Sequence, residues 1–272
     1  MRRWMKLTSE NVIELSDVTK IFQVKKSVFN SIPFVALDHI NLNIRKGEIV
    51  GLVGASGSGK TTIARILTML YSVTSGKIVF NGEDVTNLTN REIKDYRKKV
   101  QMVFQDPYSS LDPNHSVFWH VQRPLKLSKY HGDIEGRVKE LLSSVGLNPP
   151  EAFFDRLPYQ LSGGQRQRVY LARSLAPEPE LLIADEPVSN LDASIKASIL
   201  DLLKRISEDL GLSILYISHD IATVWYISKR INVINKGKII ETNSSDVIVD
   251  NPTQDYTKLL IDSTPDPFKR LE

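Results

Sequence analysis

Residues 54–61 read GASGSGKT, and residues 161–165 read LSGGQ ahead of a run rich in glutamine and arginine. Both place a hydroxyl and glycines at the start of a helical pattern, which is how a chain aims converging backbone N–H groups at an anion. In the first stretch Gly54, Gly59, Lys60 and Thr61 fill every specified position of G-x-x-x-x-G-K-T, with Ala55, Ser56, Gly57 and Ser58 inside the motif and Thr62 after it. The chemistry is phosphate binding: loop amides meet phosphate oxygens, Lys60 reaches the β and γ phosphates, and the Thr61 hydroxyl can ligate magnesium. A third stretch, LLIADE, brings Asp185 and Glu186 to the end of an apolar run. Asp185 suits a magnesium ion, directly or through water, and Glu186 suits orienting and polarising an attacking water. One phosphate loop is enough for such chemistry. The second glycine pair, Gly163 and Gly164, needs another explanation.

The elements that must position these residues alternate. EIVGLVG is followed by TIARILTMLY, ELLIAD by SIKASILDLLKRISEDL, and SILYISH by IATVWYIS, with KVQMVF as a further short apolar run. Strands feeding helices in this way predict an α/β fold on a largely parallel sheet. Residues 105–160 lose that rhythm and read as helical, clearest in VFWHVQRPLKL and GRVKELLSSVG, which predicts a helical subdomain inserted in the sheet domain. KRINVINKGKIIETNSSDVIVDN predicts two short strands around a Lys-Gly turn and then a helix, and TPDPFKRLE reads as a loose tail. The expected division is 1–104 for the first part of the core, 105–165 for the helical insertion, 166–250 for the second part of the core and 251–272 for a tail.

Composition narrows the class. Of 272 residues 41% are apolar and 25% charged, which suits a soluble globular chain rather than a disordered or membrane-embedded one. There is no cysteine, which excludes disulfides, thiolate metal sites, cysteine-bound clusters and cysteine nucleophiles. MRRWMKLTSENVIEL turns polar at once, so no secretory signal is expected, and no apolar run could span a bilayer. Any membrane role is therefore peripheral. A formal charge of +3 without a Lys/Arg block speaks against a nucleic-acid partner. His115 and His120 lack zinc-type partners, and Phe118 and Trp119 suit either a core or a contact with a membrane partner.

GASGSGKT, Gln105 in FQDP, LSGGQ, LLIADEP, SNLD (residues 189–192) and His219 in YISHD follow one another in an order that resembles the ATP-binding cassette (ABC) ATPases, over residues 12–250. The resemblance implies a P-loop NTPase cassette with a mostly parallel core sheet, an N-terminal antiparallel β region and an inserted α-helical subdomain. It implies ATP and Mg2+ as ligands, hydrolysis of ATP to ADP and phosphate, and two cassettes packed head to tail. Leu161, Ser162, Gly163, Gly164 and Gln165 would then close over the nucleotide of the partner, which answers the question of the second glycine pair. Gln105 would contact magnesium and the attacking water and link the core to the helical subdomain. His219 would donate toward the γ-phosphate, and Asp192 would mediate communication across the dimer. Phe22 occupies the place of the family's adenine-stacking aromatic, with Phe29 and Phe34 as competitors. The segment between Phe22 and Gly47 is longer than the shortest family members need.

FQDPYSSLDP and DNPTQDYTKLL narrow the resemblance to ATPase subunits of oligopeptide and dipeptide importers, the second ATPase subunit of the pair in particular. It implies two membrane permeases, a second ABC ATPase that is either a related subunit or another copy, an extracellular substrate-binding protein acting indirectly, and a position on the cytoplasmic face of the membrane. Relatives carry nickel or oligosaccharides, so the cargo stays open. DNA-repair and chromosome-structure relatives would bring zinc cysteines or long heptads, and translation-associated ones a second cassette. None of these is in the sequence.

Overall fold

A computed structural model describes residues 10–27, 30–104, 111–189 and 191–263. MRRWMKLTS at the amino terminus, Phe29, Gln105 with the DPYSS after it, Asn190 of SNLD and the tail TPDPFKRLE lie outside the described residues.

The chain starts as an antiparallel sheet. Asn11–Ser27 (β1) and Asn30–Arg45 (β2) pair from Asn11 opposite Arg45 to Ser27 opposite Asn30, with several irregularities of register. The long segment after Phe22 is thus an extended hairpin, whose far end leaves Val24, Ile32, Phe34 and Val35 exposed. Ser75–Phe80 (β4) and Glu83–Asp84 (β5) complete the order β2-β1-β4-β5.

The second sheet has six strands. Ile49–Val53 (β3), Val100–Val103 (β6), Leu181–Asp185 (β7), Ser213–Ser218 (β8) and Arg230–Asn235 (β9) run parallel, and Lys238–Ser244 (β10) returns antiparallel beside β9, in the order β10-β9-β3-β8-β7-β6. β3, β7 and β8 are buried at every position, which is why they read as continuous apolar runs. Their alternate residues serve two cores, as the period of a strand requires. Val50, Leu52, Leu181, Ile183, Leu215 and Ile217 face the first sheet and the helix Lys60–Leu67 (α1). Ile49, Val53, Leu182, Ala184, Ile214 and Tyr216 face the helices that follow β6.

Asn90–Lys99 (α2) starts in a capping box between Thr89 and Glu92 and leads into β6. Then come Val117–Ser128 (α3), Ile134–Ser144 (α4) and Gly163–Leu175 (α5), packed through Val117, Val121, Leu125, Val138, Leu141, Leu142 and Val169. Phe118 belongs to this packing, its ring 4.9 Å from that of Phe154, while Trp119 stacks on His115 at 3.7 Å. His120 is buried, with Nε2 3.0 Å from the carbonyl of Asp112. Ala193–Leu210 (α6), Ile221–Ile227 (α7), Ser245–Asp250 (α8) and Asp255–Asp262 (α9) complete the α-helices among the described residues.

Arg230 ties the sheets together. Its guanidinium donates to both carboxylate oxygens of Glu48, at 3.0 and 2.9 Å, and to the side-chain and backbone oxygens of Asn43, at 3.0 and 2.8 Å. Burial alone would raise the Glu48 pKa, but the bonds from Arg230 and the Arg45 backbone outweigh it and hold the carboxyl below its usual range. Among the described residues no helix is long and apolar enough to cross a membrane.

Candidate functional site

Parallel register sets the site. Val53 lies opposite Ser218 and Asp185 opposite Ile217, so β3, β7 and β8 end abreast. The loops leaving those ends carry residues 54–59, Glu186 and His219, at the carboxyl edge where open α/β sheets bind ligands.

The loop after β3 turns on glycine. Gly59 has φ +113° and is the N-cap of α1, and a Cβ there would stand 2.8 Å from Leu37 Cδ2. No side chain can project from that position to cap the first turn, whose N–H groups at Lys60, Thr61 and Thr62 are left to face the loop. Ser58 Oγ is buried with no hydrogen-bond partner among the described residues. Lys60 folds back over the loop, its Nζ donating to the carbonyls of Gly54 at 2.6 Å and Ala55 at 2.9 Å. Burial lowers the Lys60 pKa, and the charges of Glu186 and Asp185 oppose that shift. Burial raises the Asp185 pKa; Glu186 adds to the rise, while the hydrogen bond with Thr61 and the charge of Lys60 oppose it. One ammonium, two carboxylates and one hydroxyl therefore share a single electrostatic neighbourhood. With a buried polar atom awaiting a partner and uncapped amides at a helix start, the loop fits a polyphosphate.

Glu186 is held in an unusual conformation. Its φ is +50°, a region that costs a non-glycine residue about 1–2 kcal/mol. Its N–H donates to the Ile217 carbonyl at 2.9 Å, and its carbonyl accepts from the Ser189 N–H at 3.3 Å and hydroxyl at 3.2 Å. The carboxylate stands 3.1 Å from Nδ1 of His219. Asp17, His39, Met69, Asn81, Lys129, Glu178 and Lys236 share a positive φ, so it is the place of Glu186, at the end of β7 against His219, that marks it as a candidate functional position.

The second glycine pair makes different contacts. Ser162 is exposed and caps α5 in a capping box: its hydroxyl accepts from the Gln165 N–H at 3.2 Å and its own N–H donates to Gln165 Oε1 at 3.1 Å. Leu161 is buried beneath it. A Cβ on Gly164 would stand 2.9 Å from Ile195 Cγ2, so only glycine lets α5 approach α6 this closely. Asp192 is the N-cap of α6, with its carbonyl accepting from the Lys196 N–H at 2.8 Å, and Leu191 lies beside Gly163. These contacts gather residues 161–165 with the SNLD segment rather than with the phosphate loop. Gln105 lies outside the described residues.

Phe22 is half-buried in β1, its ring edge-on to Tyr71 at 5.2 Å, with Lys20 Nζ 5.0 Å from its centre. Tyr71 is tied back to α1 by Arg65, whose Nη1 donates to its hydroxyl at 2.8 Å. Phe34 pairs opposite Phe22 in the hairpin and is more exposed.

Residues 37–189 match the family model described as ABC transporter. The chain belongs to the ABC transporter family of ATPases. The oligopeptide transport ATP-binding protein AppF of Bacillus subtilis is 41% identical over 266 residues, which cover 96% of this cassette and 80% of AppF. The dipeptide transport ATP-binding protein DppF of Lactococcus lactis subsp. cremoris is 42% identical over 263 residues, 95% of this cassette and 82% of its own length. Among solved structures, the ATP-binding cassette MJ0796, a dimer in a post-hydrolysis state bound to ADP and Pi, superposes with a TM-score of 0.74 at 33% identity, covering 86% of this cassette and 98% of that chain. The fold is thus that of an ABC cassette, and the protein is an ATP-binding ATPase.

Two features of the cassette escape a reading of motifs alone. Arg166, the residue after LSGGQ, is buried and donates from Nε to the Pro158 carbonyl at 3.1 Å and from Nη2 to the Leu161 carbonyl at 3.3 Å, fixing the approach to α5. Tyr256 reaches the phosphate loop itself: its hydroxyl accepts from the Ala55 N–H at 2.9 Å. The aromatic in DNPTQDYTKLL was the available signal for the latter, but nothing in its spacing says where it points.

Proposed function

We propose that this cassette is the ATP-hydrolysing subunit of a membrane importer for oligopeptides, dipeptides or a related solute. The observation that carries the ATPase part is the grouping of Lys60, Thr61, Asp185, Glu186 and His219 at three adjacent strand ends. The peptide part rests on relatives named for oligopeptide and dipeptide transport, which align with nearly the whole chain.

The roles follow from charge and reach. Lys60 and amides of residues 54–62 other than those of Ala55 and Ser58, which donate to the Tyr256 hydroxyl and the Ala55 carbonyl, hold the phosphates. Thr61 and Asp185 supply oxygen donors suited to Mg2+, which keeps few protein ligands and completes its shell with phosphate and water. Among the described residues no cluster of three or more His, Cys, Asp or Glu side chains could hold a metal unaided. A metal delivered with the nucleotide fits that donor set. Glu186 orients and polarises the attacking water, His219 donates to the γ-phosphate, and catalysis is by positioning and charge stabilisation. Gln105 is assigned to magnesium and water, and Phe22 to the adenine.

The exposed Ser162, with the amides of Gly163 and Gly164 at the positive end of α5, closes on the nucleotide of a second cassette, either a related subunit or another copy. Asp192, one element away, couples the two sites. ATP draws the cassettes together, the helical segment 105–165 shifts with Gln105 as its link, and two permeases at the cytoplasmic face of the membrane change the side to which they open. Residues 1–104 and 166–250 form the nucleotide-binding core in this scheme, and 251–272 the importer-type tail. An extracellular binding protein meets the permeases rather than this subunit.

The assignment is tested by gentle extraction of tagged protein from its native membranes in Mg-ATP, followed by mass spectrometry. Two permeases and a second ABC ATPase are expected to co-purify, with peptides stimulating ATP hydrolysis by the assembly when its binding protein is added. Recovery with ribosomes or DNA and no permease would remove the transporter assignment and leave the ATPase chemistry in place.

A further inference from the structure

The Ala55 N–H is bonded to a hydroxyl 201 residues away in sequence, that of Tyr256. Ala55 is held from its other side as well, since its carbonyl accepts from Lys60 Nζ at 2.9 Å. Tyr256 is half-buried on the apolar core that includes Val53, Val233 and Ile231, so its ring is seated independently of its hydroxyl.

What delivers it is the start of α9. The N-cap there, Gln254, makes no side-chain cap bond. Glu241 of β10 does that work from outside the helix: its carboxylate accepts from the Thr253 N–H at 2.8 Å, the Gln254 N–H at 3.3 Å, the Thr253 hydroxyl at 2.8 Å and the Thr257 hydroxyl at 2.5 Å. A carboxylate on the amides of a helix N-terminus is a charge-assisted anchor. Thr257 is fully buried beside it. The turn between β9 and β10 touches the same loop directly, with the Gly237 N–H donating to the Ser58 carbonyl at 2.9 Å. One hairpin therefore grips the phosphate loop twice, at Ser58 through its turn and at Ala55 through Glu241, α9 and Tyr256.

We propose that Tyr256 is a positioning residue for the nucleotide: the C-terminal helix, anchored by Glu241, fixes the first turn of the phosphate loop through the Ala55 amide and so prepares it to receive the phosphates. The segment TQDYT is then a brace of the ATP site, with Thr253 and Thr257 as its foot and Tyr256 as its tip. The inference rests on residues 54–61 being the nucleotide loop, and the experiment separates the two.

Mg-ADP is titrated calorimetrically into the full chain, which reports loop binding without turnover. Tyr256→Phe keeps the ring and removes the hydroxyl. It should weaken Mg-ADP about threefold to tenfold, the range of one net hydrogen bond, while the melting temperature without nucleotide stays at that of the parent. Glu241→Gln should weaken binding in the same direction, and the double variant should fall short of the product of the two effects because both act through one path. An unchanged affinity in Tyr256→Phe would overturn the inference, as would a loss of affinity matched by an equal loss of thermal stability or multiplicative effects in the double variant. Lys60→Ala serves as the reference. If it binds weakly while Tyr256→Phe binds normally, only the brace is lost; if Lys60→Ala binds as the parent does, the nucleotide loop itself is misassigned and the brace falls with it.

Discussion

Glu186→Gln should lower the rate of ATP hydrolysis by roughly 10²- to 10⁴-fold, the usual contribution of a positioned proton acceptor, while ATP affinity is retained or increased. Glutamine has the same shape, so the contact with His219 at 3.1 Å and the packing around it need not move. What disappears is the charge that orients and accepts a proton from water. Electrostatics adds a second consequence. Glu186 raises the Asp185 pKa and stabilises the Lys60 ammonium, so its neutralisation leaves Asp185 the better anion and removes repulsion toward an incoming γ-phosphate. The variant should therefore hold ATP, not ADP, and accumulate with its two cassettes closed. Single-turnover hydrolysis beside equilibrium ATP binding measures both parts. Turnover at the parent rate would exclude Glu186 as the group that activates water.

Lys60→Ala attacks the same reaction at the binding step. Its ammonium is buried and, in the open loop, satisfied by two carbonyls, so the loop already stores a cation where the phosphates arrive. Charge-assisted bonds contribute about 1.5–3 kcal/mol each, and contacts to two phosphate groups together correspond to a loss of affinity of roughly 10²- to 10⁴-fold. Arginine should not rescue it, because a planar fork cannot replace a compact ammonium reaching around the loop from the first residue of α1. Some thermal stability should be lost as well, because the substitution leaves two loop carbonyls and the buried Asp185 carboxylate without their cation. Calorimetric titration with Mg-ADP beside thermal unfolding checks both statements, and parental affinity in Lys60→Ala would contradict the assignment of residues 54–61.

The elements around the site could be read before any coordinates because their physics is local. β3, β7 and β8 are covered on both faces and so appear as unbroken apolar runs, and the phosphate loop needs glycine at Gly59 for reasons of backbone angle and space. The capping box between Ser162 and Gln165 is just as local, yet LSGGQ reads first as an anion-binding helix start and the cap comes from the structure. The hairpin of β1 and β2 was harder. Lysines, a proline and shifts of register break its alternation, so QVKKSVFNSIPF reads as an extra length of chain rather than as paired strands. Long-range bonds left no trace at all. Glu241 looks like a charge on an edge strand, and only the fold brings α9 to it; Arg230 and Glu48 stand 182 residues apart, and Tyr256 and Ala55 stand 201 apart. Phe22 shows the same limit from the other side, because its place in the chain is plain while the packing on Tyr71 depends on how β1 meets α1.

Residues 161–165 are proposed to serve the nucleotide of another cassette. Tyr159, two-thirds exposed at 67% and three residues ahead of Ser162, offers a conservative place for a photoreactive benzophenone side chain. In the Glu186→Gln background, with membranes prepared in Mg-ATP and illuminated, an intermolecular product should form that joins position 159 to the phosphate-loop region of a second ABC ATPase, and that is absent without nucleotide. A crosslink formed within one chain, or an intermolecular product of the same yield with and without Mg-ATP, would contradict it.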